Sequence, residues 1–136
     1  MATVARPPER ALPAYKIPFT KSAWEKCFES LGAVRTLKEN WDDGGALVPS
    51  TDLVNAGEEI LRFFWRWLRL PAPSRVGAGP NGTVLLEWQN GPNYFEIEVC
   101  DPQSVEWMMA LPNEKPQHGK GLDQVALDRL ALTLSQ

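Results

Sequence analysis

Gly82-Thr83-Val84-Leu85-Leu86-Glu87-Trp88, read together with Lys38-Glu39-Asn40-Trp41-Asp42-Asp43-Gly44-Gly45-Ala46, decides the fold class of this chain. In the first stretch a glycine turn opens a segment in which Val84, Leu86 and Trp88 share one side and Leu85 and Glu87 the other. That two-residue period belongs to a half-buried strand. In the second stretch a helical apolar period stops near Asn40, and Asp43-Gly44-Gly45 supplies a sharp reversal before a second helix. Helices followed by a run of strands predict an α+β fold.

Working outward, the same alternation predicts strands over 75–79, 83–89, 94–100 and 104–110. They are separated by Pro80-Asn81-Gly82, Asn90-Gly91-Pro92-Asn93 and Asp101-Pro102-Gln103. Turns this short force neighbouring strands to pair antiparallel, so the expectation is a four-stranded meander. Upstream, Thr20 caps a first helix whose Trp24, Cys27, Phe28, Leu31, Val34 and Leu37 recur at helical spacing until Asn40. Ser50 caps a second helix, with Asp52 in its first turn. Leu53, Ala56, Ile60, Phe63, Phe64 and Trp67 form its apolar face, and Pro71 and Pro73 end it. The polar, Pro- and Gly-containing segment 111–121 reads as a flexible connector. Leu122, Val125, Ala126, Leu130 and Leu134 then mark a final helix, expected on the apolar side of the sheet. Residues 1–18, with four prolines, read as an irregular arm before a single domain over 19–136.

The chain has 136 residues, 43% of them hydrophobic, and a formal net charge of −3. That length buries enough surface for a core without disulfide staples, and six tryptophans argue for a packed interior rather than disorder. The mild acidity argues against nonspecific nucleic-acid binding, which needs a basic surface to release counterions. Cys27, in a helical pattern, and Cys100, at a strand end, read as isolated small hydrophobes rather than a disulfide or metal pair. No secretory leader is legible. The run 60–70 is broken by Arg62, Arg66 and Arg69 and is too short to span a bilayer. The expectation is a soluble, cytoplasmic protein.

Two surfaces stand out as candidate partner sites. Sorting the strands by parity places Glu87, Glu96, Glu98 and Glu106 together on the solvated face of the sheet, with no lysine or arginine among them. An antiparallel sheet ordinarily has a wet side, but like charges on adjacent strands repel, which a basic partner would relieve. The other surface is Arg62, Trp65, Arg66 and Arg69 on one flank of the second helix, residue types enriched at binding hot spots. On one chain, a basic stripe and an acidic face can also satisfy each other in a homo-oligomer. The arginines offer at most a narrow nucleic-acid site.

Catalytic signals are weak. His118 lies in the connector, where a general base would be poorly held. Asp42 and Asp43 are adjacent carboxylates next to glycines, an ordinary turn composition, although they or the sheet glutamates could serve a small hydrolase. Gly77-Ala78-Gly79-Pro80-Asn81-Gly82 precedes a strand rather than a helix and is no phosphate loop. No metal, cofactor or catalytic residue is assigned. Asn40, Trp41, Asp42, Gly44, Gly45 and Trp88 read as structural: Trp41 plugs the joint between the helices, Asp42 bonds the turn, and the glycines permit it.

The run Leu37-Lys38-Glu39-Asn40-Trp41-Asp42, then Gly45-Ala46 and Pro49-Ser50, resembles a family of small uncharacterised bacterial proteins. Their helix–turn motif has the form Leu-Lys-Glu-Asn-Trp-Asp-Gly-Tyr-Gly-Ala. Pro73, Gly82 to Trp88, and Glu96-Ile97-Glu98 match the family's later proline, its Gly-x-Val-x-Leu-Glu-Trp strand and its Glu-Ile-Glu strand. The similarity covers roughly 24–108 and departs at Asp43-Gly44, where the family has Gly-Tyr. The resemblance brings no catalytic residues. It implies cargo of mobile loci near toxin–antitoxin, CRISPR or other antiviral-defence genes, and hence a non-enzymatic accessory, regulatory or inhibitory protein-binding subunit.

Overall fold

The computed structural model describes residues 20–135; the arm expected over 1–18 lies outside them. The order of elements is α1 (Lys21–Val34), α2 (Thr51–Phe63) continuing into a π-helical turn (Phe64–Leu68), β1 (Arg75–Ala78), β2 (Val84–Asn90), β3 (Asn93–Asp101), β4 (Ser104–Ala110), β5 (Gln117–Lys120) and α3 (Gln124–Ser135). The fold is α+β, with one antiparallel sheet in the order β1-β2-β3-β4-β5. The expected four strands are five. Gln117-His118-Gly119-Lys120, whose polar composition suggests a flexible connector, pairs with Glu106 to Met109 as an edge strand. An edge strand facing water needs no apolar alternation; the backbone ladder to β4 is enough to hold it.

Both helix caps read from the sequence are present. The Thr20 hydroxyl accepts from the Ala23 amide and the Ser50 hydroxyl from the Leu53 amide, each at 3.2 Å. α1 stops at Val34 rather than near Asn40. Arg35 closes it and reaches across to Asn55 (2.7 Å) and Glu58 (3.1 Å), tying the end of α1 to α2. Leu37 still covers the core, but from a turn, so its helical spacing does not mean helix. α3 starts at Gln124 rather than Leu122, because the Asp123 carboxylate accepts from the Ala126 amide at 3.0 Å and acts as its cap. Gly57 on α2 sits where a Cβ would press on Val84 at 3.2 Å, which lets the helix approach β2 and α1 closely.

The core face of the sheet is a file of aromatic rings. Phe64 meets Trp88 (centroids 5.8 Å apart), Trp88 meets Phe95 (6.1 Å) and Phe95 stacks on Trp107 (5.8 Å). Separations of this size, offset or edge-on, suit the ring quadrupoles. The buried segment Leu70-Pro71-Ala72-Pro73 joins helix to sheet. Its prolines carry no N–H to satisfy, and side chains supply donors to its carbonyls. Trp24 Nε1 donates to Leu70 O (3.1 Å), Trp88 Nε1 to Pro71 O (3.0 Å), and the Cys27 thiol to Pro73 O (3.3 Å). Buried carbonyls demand such partners, so two tryptophans and a cysteine fix the joint between the layers. Burial pushes the Cys27 thiol up to about 11, leaving it an unreactive donor.

Candidate functional site

Cross-strand registers place the outer face of the sheet residue by residue. One row reads Arg75, Glu87, Glu96, Met108, His118 across the five strands, and the next reads Gly77, Leu85, Glu98, Glu106, Lys120. Glu87, Glu96, Glu98 and Glu106 therefore converge as the alternation predicts. Glu87 lies directly opposite Glu96, and Glu98 opposite Glu106, forming an oblique acidic stripe from β2 to β4. Leu85 and Met108 occupy the two corners beside it. All the buried strand side chains face the other way, toward the helices, so no described element covers this face.

The expectation that no cation interrupts the face is corrected. Arg75 on the β1 edge lies 3.8 Å from Glu87, and the fifth strand brings His118 and Lys120 to the opposite edge. Parity within the four expected strands does not reach His118 or Lys120, which lie on the fifth. The charge pattern is an acidic centre with basic margins. Tyr94 also belongs to the site, its hydroxyl donating to Glu87 at 2.9 Å. The Thr83 hydroxyl donates to Glu98 at 2.8 Å. Burial raises the Glu96 carboxyl above its ordinary value; the Glu87 and Glu98 charges push the same way, with Tyr94 and His118 opposing. Burial and the bond to Glu87 likewise hold the Tyr94 phenol protonated.

At the far end of β3 the register slips between Val99 and Asp101, a β-bulge that leaves Cys100 without a cross-strand partner. Glu98, Cys100 and Glu106 bring ligand-type atoms within 4.8 Å of one another. Burial, then the charges of Glu98, Glu106 and Asp101, raise the thiol above its ordinary value. The group is read as an acidic corner of the sheet.

The Arg–Trp stripe is rearranged. The π-helical turn adds a residue to its turn and rotates the downstream side chains by roughly 100°. Leu68 takes the inward place and Trp67, expected on the apolar face, is 47% exposed. Trp65, expected as a surface anchor, instead packs against Trp24 (6.2 Å) and Phe28 (5.7 Å). Arg66 lies over the Trp65 ring at 5.8 Å, and Arg62 is bonded to Glu58 at 2.6 Å. Arg69 takes a left-handed conformation that ends the turn. Glu59, Arg62, Phe63, Arg66 and Trp67 line a shallow open groove there.

Asn40 to Ala46 form a loop that satisfies itself. Asp42 Oδ1 accepts from the Gly44 and Ala46 amides (2.8 and 3.0 Å), and Asn40 Oδ1 from Gly45 (2.6 Å). Trp41 Nε1 donates to Leu47 O at 3.0 Å. Asn40, Asp43 and Gly45 all have positive φ, as Asn, Asp and Gly tolerate best. Trp41 is only half-buried and clasps its own loop. The loop docks on the sheet through the Leu47 amide and Pro80 O (3.0 Å). Trp88 is a core residue. No described helix is long and apolar enough to cross a membrane. Comparison with protein-family models, curated proteins and solved structures finds no match to this chain in any of the three.

Proposed function

We propose that this protein is a non-enzymatic binding module whose uncovered sheet face docks a basic protein partner. The observation that carries the reading is the acidic stripe: four carboxylates in two facing cross-strand pairs, on a face that no described helix covers. Directly opposed like charges destabilise a sheet, and complementary cations on a partner remove that cost while giving orientation and association rate. The Arg–Trp patch supports docking less well, because Trp65 packs into the core and Arg62 is held by Glu58. The hydrolase alternative loses its nearest base, since Asp42 is committed to two amides of its own loop. The resemblance of the helix–turn and Leu-Glu-Trp motifs supports an accessory or inhibitory role in a bacterial defence, CRISPR or toxin–antitoxin setting.

The test compares tagged wild type with a Glu96→Lys/Glu98→Lys variant in affinity capture from the native host, with light scattering on the eluted species. A stoichiometric protein recovered by wild type and lost by the folded variant is the expected result. Retention of the same protein by the variant, or a wild-type chain that elutes alone, rejects the reading.

A further inference from the structure

We infer that the element received by the acidic face is a basic amphipathic α-helix, laid obliquely across β2, β3 and β4, with lysines or arginines one turn apart over Glu96 and Glu98. This rests on the docking reading above and narrows it to one kind of partner.

The shape of the stripe selects the helix. Strands lie roughly 4.8 Å apart and alternate residues roughly 6.8 Å apart. Glu87 to Glu106, two strands over and one pleat along, therefore spans about 12 Å at a steep angle to the strands. An extended partner segment following β3, about 5 Å wide, would meet Glu96 and Glu98 but leave Leu85 and Met108, on the neighbouring strands, uncovered. A helix about 10 Å across covers the stripe in roughly two turns. Leu85 faces Glu98 from β2 and Met108 faces Glu96 from β4, one on each side of the stripe. Both are half-buried. The partner must therefore present a central row of cations flanked on both sides by apolar side chains. A helix does this with cations at i and i+4, whose Cβ atoms lie about 6 Å apart.

Charge sets the number and extent of those cations. Arg75 stands beside Glu87 and Lys120 beside Glu106, which leaves Glu96 and Glu98 unmatched by any cation in their own rows' inner positions. Glu96 gains most from a cation, because burial and its acidic neighbours already penalise its charge. The basic margins repel a longer basic run, so the cationic part of the helix is limited to about two turns. A second copy of this chain docked face to face would set acidic centre against acidic centre, and nucleic acid would bring phosphate to the same place. Neither fits.

The probe is a 16-residue peptide with two lysines at i and i+4 and leucines on both flanks of that row, in an alanine and glutamine background. One control has the same composition with the lysines moved to the opposite side of the helix; a second carries a central proline. Binding is read by fluorescence anisotropy at low and physiological salt, with circular dichroism for helix formation. The expected result is at least tenfold tighter binding by the first peptide than by either control, helix gain on binding, and a tenfold loss with the Glu96→Gln/Glu98→Gln protein. Salt titration of wild type reads the same charge dependence without any substitution. Equal, salt-sensitive binding by all three peptides overturns the helix inference and leaves the docking of basic partners standing. Binding that ignores both salt and the double substitution, or no binding at all, overturns both.

Discussion

The two faces of one sheet are built on opposite principles. On the inner face, Val84, Leu86, Trp88, Phe95, Ile97 and Val99 are fully buried, and their ring-to-ring contacts continue into the helices. On the outer face the same strands carry opposed glutamates, with Leu85 and Met108 only half-covered. Because strand side chains alternate, each face is free to vary without altering the other's register. The inner face therefore carries the stability, and the outer face can hold a charge arrangement that folding alone would not select. A four-carboxylate stripe is a small cost against a core of this size, and the docking proposed above would relieve it.

The largest effect that could break this comparison is Trp88→Ala. It deletes the ring between Phe64 and Phe95 and leaves Pro71 O without its donor. A loss of about 3–5 kcal/mol is expected, read from urea unfolding midpoints. Met108→Ala on the outer face is expected to cost under about 1 kcal/mol, since little area leaves water there. Equal losses would mean that the outer face is covered in solution. Next in size is Gly119→Ala. A Cβ on Gly119 would overlap the Trp107 ring, which lies against that strand on the core side. Trp107 cannot retreat easily because it stacks on Phe95, so about 1–3 kcal/mol of overpacking is expected. The same change should loosen amide-exchange protection in β5 before β3. A harmless Gly119→Ala would show that β5 pairs only weakly with β4.

Legibility in the sequence divides along the same line. β2, β3 and β4 can be read because burial on one side imposes a two-residue period, and from that period the glutamate face comes by parity. β5 cannot be read, since Gln117, His118 and Lys120 are exposed and Gly119 has no side chain; its signal is a partner strand and a tryptophan above it. His118 and Lys120 are hidden with it, and together with Arg75 on the opposite edge they turn an acidic face into an acidic stripe with limits. The π-helical turn is hidden because Phe63-Phe64-Trp65-Arg66-Trp67 reads equally well in either phase; only packing of Trp65 on Trp24 chooses. The Asn40–Ala46 turn is legible in its chemistry, since Asn, Asp and Gly announce positive φ, but not in its details: Trp41 clasps the loop rather than the helices.

That loop gives a mid-sized prediction. Asp42→Ala removes the acceptor for two amides and is expected to cost about 1–2 kcal/mol, as a lowered thermal midpoint. Asp42→Asn keeps an acceptor oxygen and should cost less. Asp43→Gly, at a residue with φ of 59°, should be neutral or slightly stabilising, because glycine relieves the left-handed backbone. If Asp42→Asn were as damaging as Asp42→Ala, the carboxylate charge would matter in a way the loop bonds do not explain.

The smallest effect is the one that most sharpens the contrast between the faces. Glu96 has its carboxyl raised in the folded state by burial and by Glu87 and Glu98, so between its unfolded and folded values the native protein binds more protons than the unfolded chain. Stability from this residue is then complete below the ordinary glutamate range and is lost as pH rises through the raised folded value. Glu96→Gln should remove that slope, leaving stability unchanged at low pH and raised at pH 7 by a few tenths of a kcal/mol, roughly the scale of an opposed like-charge pair. The quantity to measure is the difference in urea midpoint between wild type and variant, followed across the carboxylate range. A Glu96→Gln variant less stable than wild type at pH 7 would mean that the ionised carboxylate is favourable within the folded chain. The acidic stripe would then be part of the protein's own architecture, and docking of a partner's cations on it would lose its energetic basis.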